Sequence, residues 1–341
     1  MLLRTSAESW AEVRAQVAAR WETVDPLLPG PSAAQGCGAE LVVAGADGRP
    51  EAIGTCRHWK GRPGSLELTW GPTRRFRLTI SAAGADFAGG VDRLLSQWRD
   101  HLADLASAAG DDTAAIVDWP SRDIGAVASL RRHGFSPLTV IAARLAGRGV
   151  LRPADRAGGT AGPGGRDAGG QAAAVIPPGI RIRRGGPGDV GPVARLGLEV
   201  VRFDAHFGCV IERPGTADAL RREASRLLTV PQPWTWLAER DGAPVGVVQA
   251  ERPESAGWIA PMVRLAPAAY LGQMFVVPGE RGRGVARALA ARLHSEIDAA
   301  GVAVTLLHYE QVNPLSGPFW SQQGYRPLWT TWEARPARAL R

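Results

Sequence analysis

Gly282 and Gly284, interleaved with Arg281 and Arg283 and followed by Val285 and Ala286, are the residues of this chain best suited to holding an anion. Glycine lets the backbone approach a ligand closely and adopt angles closed to other residues. Amides that open a helix have no internal partner and sit at the positive end of its dipole. Two guanidinium groups add charge at the same point. Phosphate or pyrophosphate is the guest that this combination predicts. The Gly-Lys-Ser/Thr end of a P-loop is missing, and Lys60 is the only lysine in the chain. The glycine register and the following acid of the dinucleotide fingerprint are missing too. The bland alternative is a surface turn with solvated arginines.

The flanking elements set the turn in place. Met274 to Val277 is a short apolar run stopped by Pro278, which suits a strand. Leu289, Leu293 and Ile297 then recur at helical spacing between Ala286 and Ala300. Before the turn, the pattern predicts a strand at 179–184, a helix from Pro187 to about Arg202, a second helix at 215–228, and a hairpin of 234–239 with 245–251 across Asp241-Gly242. After it come strands at 304–309 and 328–333. In the last of these, Trp329 and Trp332 alternate with Thr330 and Thr331, as expected of a strand with one buried face. The order predicts a mixed sheet with helices on both faces.

Arg281-x-x-Gly284-x-Ala286, preceded by Val277-Pro278, resembles the acyl-coenzyme A loop of the GNAT N-acetyltransferase superfamily. A second landmark follows about 30 residues on: Asn313-Pro314-Leu315-Ser316-Gly317-Pro318-Phe319-Trp320, ending in Gly324-Tyr325, resembles that family's N-x-x-A-x-x-F-Y-x-x-x-G-F segment. The resemblance covers residues 178 to 335. It implies an α/β fold of the acyl-CoA N-acyltransferase type, built on a mixed α+β sheet. It further implies that acetyl-CoA is held by the backbone of Phe275 and Val276, by the loop Arg281, Gly282, Arg283, Gly284, Val285 and Ala286, and by Asn313 and Trp320. The Val276 N–H would receive the oxyanion.

The family's usual thiolate partner is a tyrosine, and Trp320 stands in its place. An indole N–H does not titrate usefully, so Trp320 is no general acid. Tyr309 is the first substitute, at the end of a strand near the amine's path; Tyr325 suits the core. Gln273 stands near where many relatives carry an acidic base, and a neutral amide cannot take that proton. Glu310, His308, Glu239 or a water chain remain for that task. Tyr309 and Glu310 are adjacent, so a regular strand points them to opposite faces. Asp204 and His206 fall in the region that covers the substrate, either reading a cationic acceptor or serving as ordinary loop residues.

The chain also repeats itself. Asp47-Gly48 matches Asp241-Gly242 and Gly90-Val91 matches Gly284-Val285 at a separation of 194; Gly134-Phe135 matches Gly324-Tyr325 at 190. A duplicated fold explains matches in constant order. The first copy lacks the chemistry: Phe87 stands for Arg281, Asp92 for Ala286 and Asp123 for Asn313. The expected organisation is therefore a tandem: a degenerate copy at 1–148, a Gly/Ala/Pro-rich linker at 149–177, and a catalytic copy at 178–341.

The chain has 341 residues and a net charge of +7, carried almost wholly by arginine. Coenzyme A is itself an acidic partner, whereas no aromatic-basic stripe or zinc spacing points to nucleic acid. Cys37, Cys56 and Cys209 have no metal spacing and read as reduced thiols of a cytoplasmic protein, with neither a signal peptide nor a membrane span. The six histidines form no metal pattern. The expectation is a metal-free N-acetyltransferase, monomer or homodimer, acting on a primary amine of a small molecule. The alternatives are a protein N-terminal or lysine acetyltransferase and a non-catalytic acyl-CoA-binding module.

Overall fold

The computed structural model describes residues 7–31, 39–45, 48–147 and 175–341. Of the linker expected at 149–177, only 175–177 fall among them, and Cys37 and Asp47 lie outside. In chain order the elements are α1 (Ala7–Val24), β1 (Ala39–Ala44), β2 (Pro50–Lys60), β3 (Arg74–Ala82), α2 (Phe87–Ala109), β4 (Thr113–Pro120), α3 (Val127–Arg132) and β5 (Ser136–Leu145). They continue as β6 (Ile180–Arg184), α4 (Val190–Asp204), α5 (Thr216–Leu228), β7 (Thr235–Arg240), β8 (Ala243–Glu251), β9 (Ala268–Val276), α6 (Val285–Ala299), β10 (Val304–Glu310), α7 (Ser316–Gln322) and β11 (Arg326–Ala334). The run β1-β2-β3-α2-β4-α3-β5 is repeated as β7-β8-β9-α6-β10-α7-β11, as the internal repeat predicts.

The contacts divide the chain into two compact units. The first holds residues 1–141, 261–264 and 327–341; the second holds 142–260 and 265–326. In the first unit β1, β2 and β3 are antiparallel neighbours, β3 and β4 are parallel, and β4 pairs antiparallel with β11. Helix α2 covers this sheet with Val91, Leu94, Leu95, Trp98 and Leu102, all buried. The two tryptophans of β11 lie three residues apart and so on opposite faces. Trp332 joins the core under α2. Trp329 meets Trp21 edge-on at 5.2 Å and donates its indole N–H to the Met262 carbonyl at 2.8 Å. Both faces of this strand are therefore covered, where the sequence pattern suggested one.

In the second unit β6, β7, β8 and β9 are successive antiparallel neighbours and β10 is parallel to β9. The β7–β8 hairpin turns on Asp241 (φ 50°) and Gly242 (φ 78°), the positive angles that a tight two-residue turn demands. Helix α4 buries Val193, Leu196 and neighbours against Leu237, Val247 and Phe275 of the sheet and Ala224 and Leu228 of α5. Helix α6 buries Val285, Leu289, Leu293 and Ile297, one apolar stripe at four-residue spacing.

Candidate active site

The parallel pairing of β9 and β10 is short. It runs from Ala268↔Val304 to Leu271↔Leu307, while β9 continues to Val276 and β10 to Glu310. A bulge lies in the β8–β9 register between Gln249 and Ala250, leaving Gly272 without a partner position. Beyond it Val277 donates to the Val245 carbonyl at 2.9 Å. Antiparallel alternation then turns the N–H groups of Phe275 and Gln273 toward β8 and those of Val276 and Met274 toward the open side. The Val276 carbonyl points the same way, since it accepts from Arg281 Nε at 3.0 Å.

The glycine turn leads from β9 into α6. Gly282 (φ 73°) and Gly284 (φ 88°) are left-handed, which is why side chains are excluded there. A Cβ on Gly282 would meet nothing within 4 Å, and one on Gly284 only Pro177 at 3.7 Å, so the turn is bordered by open space. Gly284 is the N-cap of α6 and has no side chain to satisfy the first amides; the first internal bond is Ala288 N–H to Gly284 O at 3.0 Å. The N–H groups of Val285, Ala286 and Arg287 remain for an anion, so the residues present fit the phosphates of acetyl-CoA. The arginines differ in their commitments. Arg281 is turned back over Phe203 (4.9 Å) and Phe275 (5.3 Å), while Arg283 is exposed and 3.7 Å from Glu280. Glu280 is itself clamped by Arg240 at 2.6 and 2.9 Å, which fixes the turn to the β7–β8 hairpin.

At the far end of the divergence, Tyr309 and Glu310 take opposite faces. Tyr309 lies against the first turn of α7 near Gly317, and burial raises its hydroxyl pKa. Glu310 is only 4% exposed and faces the end of α4. Cys209 donates its thiol to Glu310 Oε1, whereas Oε2 has no hydrogen-bond partner. Burial pushes the Glu310 carboxyl up to about 7; the Cys209 thiol opposes that rise and the charge of Asp204 adds to it. Asp204 is pushed up to about 6 by burial, opposed by its bond from Asn313 Nδ2 at 3.3 Å. Asn313 also accepts from the amides of Leu315 and Ser316 at 3.0 and 3.2 Å, fixing the entry to α7.

The remaining sequence candidates sort by these contacts. Trp320 is buried between Phe319 (4.9 Å) and Tyr325 (5.3 Å), and the Tyr325 hydroxyl meets His294 Nε2 at 3.1 Å. Glu239 is tied to Arg183 at 2.7 Å and stands in β7. His308 bonds the Tyr270 hydroxyl at 3.1 Å through Nδ1. His206 is exposed and bonds backbone carbonyls of its own helix end. Gln273 packs beneath Gly197 of α4, and its Nε2 is buried without a partner. Cys209 escaped sequence reasoning because nothing local marks a thiol 101 residues from its carboxylate. Among the described residues, no group of three or more His, Cys, Asp or Glu could hold a metal ion, and no helix is long and apolar enough to cross a membrane.

Residues 232–327 match the family model described as an acetyltransferase (GNAT) domain. No curated protein matches the chain. Among solved structures, it is similar to a GCN5-related N-acetyltransferase from Sphaerobacter thermophilus, with 16% identity, a TM-score of 0.55, and coverage of 96% of this chain and 93% of that one. A tandem GNAT protein from the clavulanic acid biosynthesis pathway is 16% identical over 96% of this chain and 94% of its own, with a TM-score of 0.45. A GNAT acetyltransferase domain is thus matched within the second half of the chain, and the same order of strands and helices is repeated in the first half.

Proposed function

We propose that the second copy transfers an acetyl group from acetyl-CoA to a primary amine of a small molecule, with Glu310 as general base. The observation that carries this reading is a buried carboxylate with one unpartnered oxygen at the open end of a diverging strand pair, whose other strand leads into an anion-binding turn. The turn at 281–287 holds the phosphates, and the backbone of Phe275 and Val276 runs alongside the pantetheine arm. Glu310 takes the proton of the substrate ammonium, the neutral amine nitrogen then attacks the acetyl carbon, and the proton it sheds on forming the amide goes to the departing thiolate. The carbonyl oxygen takes up charge against the Val276 N–H, a fixed donor that needs no reorganisation. The thiolate then leaves, with the protonated Tyr309 hydroxyl as its hydrogen-bond partner. A base must be ionised, so activity rises with pH through the Glu310 pKa of about 7.

The test is acetyl-CoA-dependent acetylation of an amine panel by the full chain, followed by coenzyme A release. Glu310→Gln should lower kcat by about 100-fold or more at pH 8 while acetyl-CoA affinity holds. A kcat within about twofold of the parent would remove Glu310 from the reaction.

A further inference from the structure

Buried and half-buried carboxylates in the second unit are matched to guanidinium groups as a rule. Glu239 pairs with Arg183, Glu280 with Arg240 and Asp298 with Arg144, each within 2.8 Å. Glu310 and Asp204 break that rule. Glu310 has the Cys209 thiol and Asp204 has the Asn313 amide, both neutral donors, and Glu310 Oε2 has none. In a chain with 40 lysines and arginines and a net charge of +7, none among the described residues forms an ion pair with these two neighbouring half-buried and buried acids.

The walls fit a cation as well. His308 precedes Glu310 by two residues on β10 and so shares its face, on the order of 7 Å away along the strand. The Trp258 indole lies parallel to the His308 imidazole with centroids 6.2 Å apart, and edge-on to Tyr270 at 4.7 Å. It is 56% exposed, a large aromatic surface left open next to His308. An aromatic face attracts an ammonium group, and more strongly as water is excluded.

We infer that the acceptor is a diamine: an aliphatic amine carrying a second ammonium group a few atoms from the one acetylated, with Asp204 holding the spectator charge and Trp258 walling its path. This rests on Glu310 being the base of the transfer reaction. One acid alone serves a monoamine. Two acids with neutral partners serve a substrate with two charges: Glu310 takes the proton from the reacting ammonium, and Asp204 stays ionised against the other. Leaving both acids without a cation would be costly in the free protein, which is the sign of a site completed by its ligand.

The experiment compares 1,4-diaminobutane with pentan-1-amine, which matches its length and lacks the second charge. Two readouts are used on the full chain: kcat/KM with acetyl-CoA, and equilibrium binding in the presence of coenzyme A. The diamine should be favoured at least tenfold in both. Asp204→Asn should bring that ratio toward one, chiefly through the diamine's KM, and Trp258→Leu should reduce it severalfold. Equal kcat/KM for the two amines would overturn the inference and leave acetyl transfer standing. Asp204-dependent preference for the diamine in binding, with no turnover of either amine, would sustain the charge reading and sink the transfer reaction. Absence of diamine binding would overturn the inference whatever the turnover.

Discussion

The two copies open the same framework and treat the opening differently. In each, a parallel pair is held by four residue pairs and then diverges: Arg74↔Thr113 to Arg77↔Ile116 in the first, Ala268↔Val304 to Leu271↔Leu307 in the second. In each, the outer strand leads to a helix. In the second copy residues 281–284 form a left-handed glycine turn, and α6 begins uncapped at Val285. The corresponding residues 87–90 of the first copy are the first turn of α2. That helix starts four residues earlier in the shared frame, and the nest is gone because its backbone has become helix. Asp86 caps it, accepting from Gly89 N–H at 3.2 Å, and holds Arg93 at 2.9 Å. A carboxylate thus occupies the place where an anion would bind.

The mouth of the first divergence is also filled from within its own unit. Phe87 at the start of α2 and Trp119 at the end of β4 have ring centroids 6.0 Å apart. Arg20 of α1 lies 3.9 Å over the Phe87 ring and donates twice to Asp123, at 2.6 and 2.7 Å. Asp123 also accepts from Gly125 N–H at 2.9 Å, the same chain-turning task that Asn313 performs before α7. A guanidinium bound to the one and a carboxylate to the other is the contrast in brief: one copy pairs its turn acid with an arginine, and the other sets a neutral amide against an acid. The difference teaches that the fold's divergence is only an opening, and that the cap residue and the partner of the Asn/Asp turn decide whether anything can enter.

The change that should break this contrast most is Gly284→Asp. It gives α6 the acidic cap of α2 and forces a left-handed angle on a residue with a side chain. Acetyl-CoA affinity measured by calorimetry should fall at least about tenfold, roughly 1.4 kcal/mol. Gly284→Ala carries the strain without the charge and should bind between the two; an unchanged affinity in Gly284→Asp would remove the turn from the site.

A smaller effect is expected in the first copy. Arg20→Ala leaves Asp123, 2% exposed at its side chain, without its ion pair. Stability measured by urea unfolding should fall by about 1–2 kcal/mol, limited because Arg20 itself is partly solvated. Acetyl-CoA binding should hold. A gain of a second binding event in this variant would show that the plug alone, and not the loss of the nest, silences the first copy.

The smallest change is one of pH. The Cys209 thiol favours ionised Glu310, so Cys209→Ala should move the acid limb of kcat/KM to higher pH, and Cys209→Ser should lie nearer the parent. The sign on stability follows from linkage. A carboxyl whose folded pKa is raised from 4.5 to about 7 binds its proton more tightly when folded, so it lowers stability as pH climbs between those values. Glu310→Gln should therefore gain thermal stability relative to the parent at pH 8 and not at pH 4. A parent limb that does not respond to Cys209→Ala would separate that limb from Glu310.

Much of this was legible in the sequence, and the exceptions share a cause. The glycine turn, the strand before it and the helix after it are local in sequence, so spacing alone locates 274–300. The duplication was legible because its turn glycines recur in constant order. What spacing could not locate are contacts closed by the fold: Arg240 on Glu280 across 40 residues, Cys209 on Glu310 across 101, and Arg20 on Asp123 across 103. The residue match places the first copy's charge at Asp92, opposite Ala286. Because α2 begins four residues early, Asp92 lies in its second turn, paired with Arg132 at 2.8 Å, and the acid at the helix start is Asp86. A one-turn extension of a helix leaves no mark on a residue-by-residue match.

The central claim is that only the second copy holds acetyl-CoA, and calorimetric titration of the full chain tests it most directly. The account predicts one acetyl-CoA per chain in the parent, and the same single site weakened at least about tenfold in Gly284→Asp. Two acetyl-CoA per chain, or one whose affinity Gly284→Asp leaves unchanged, would contradict it.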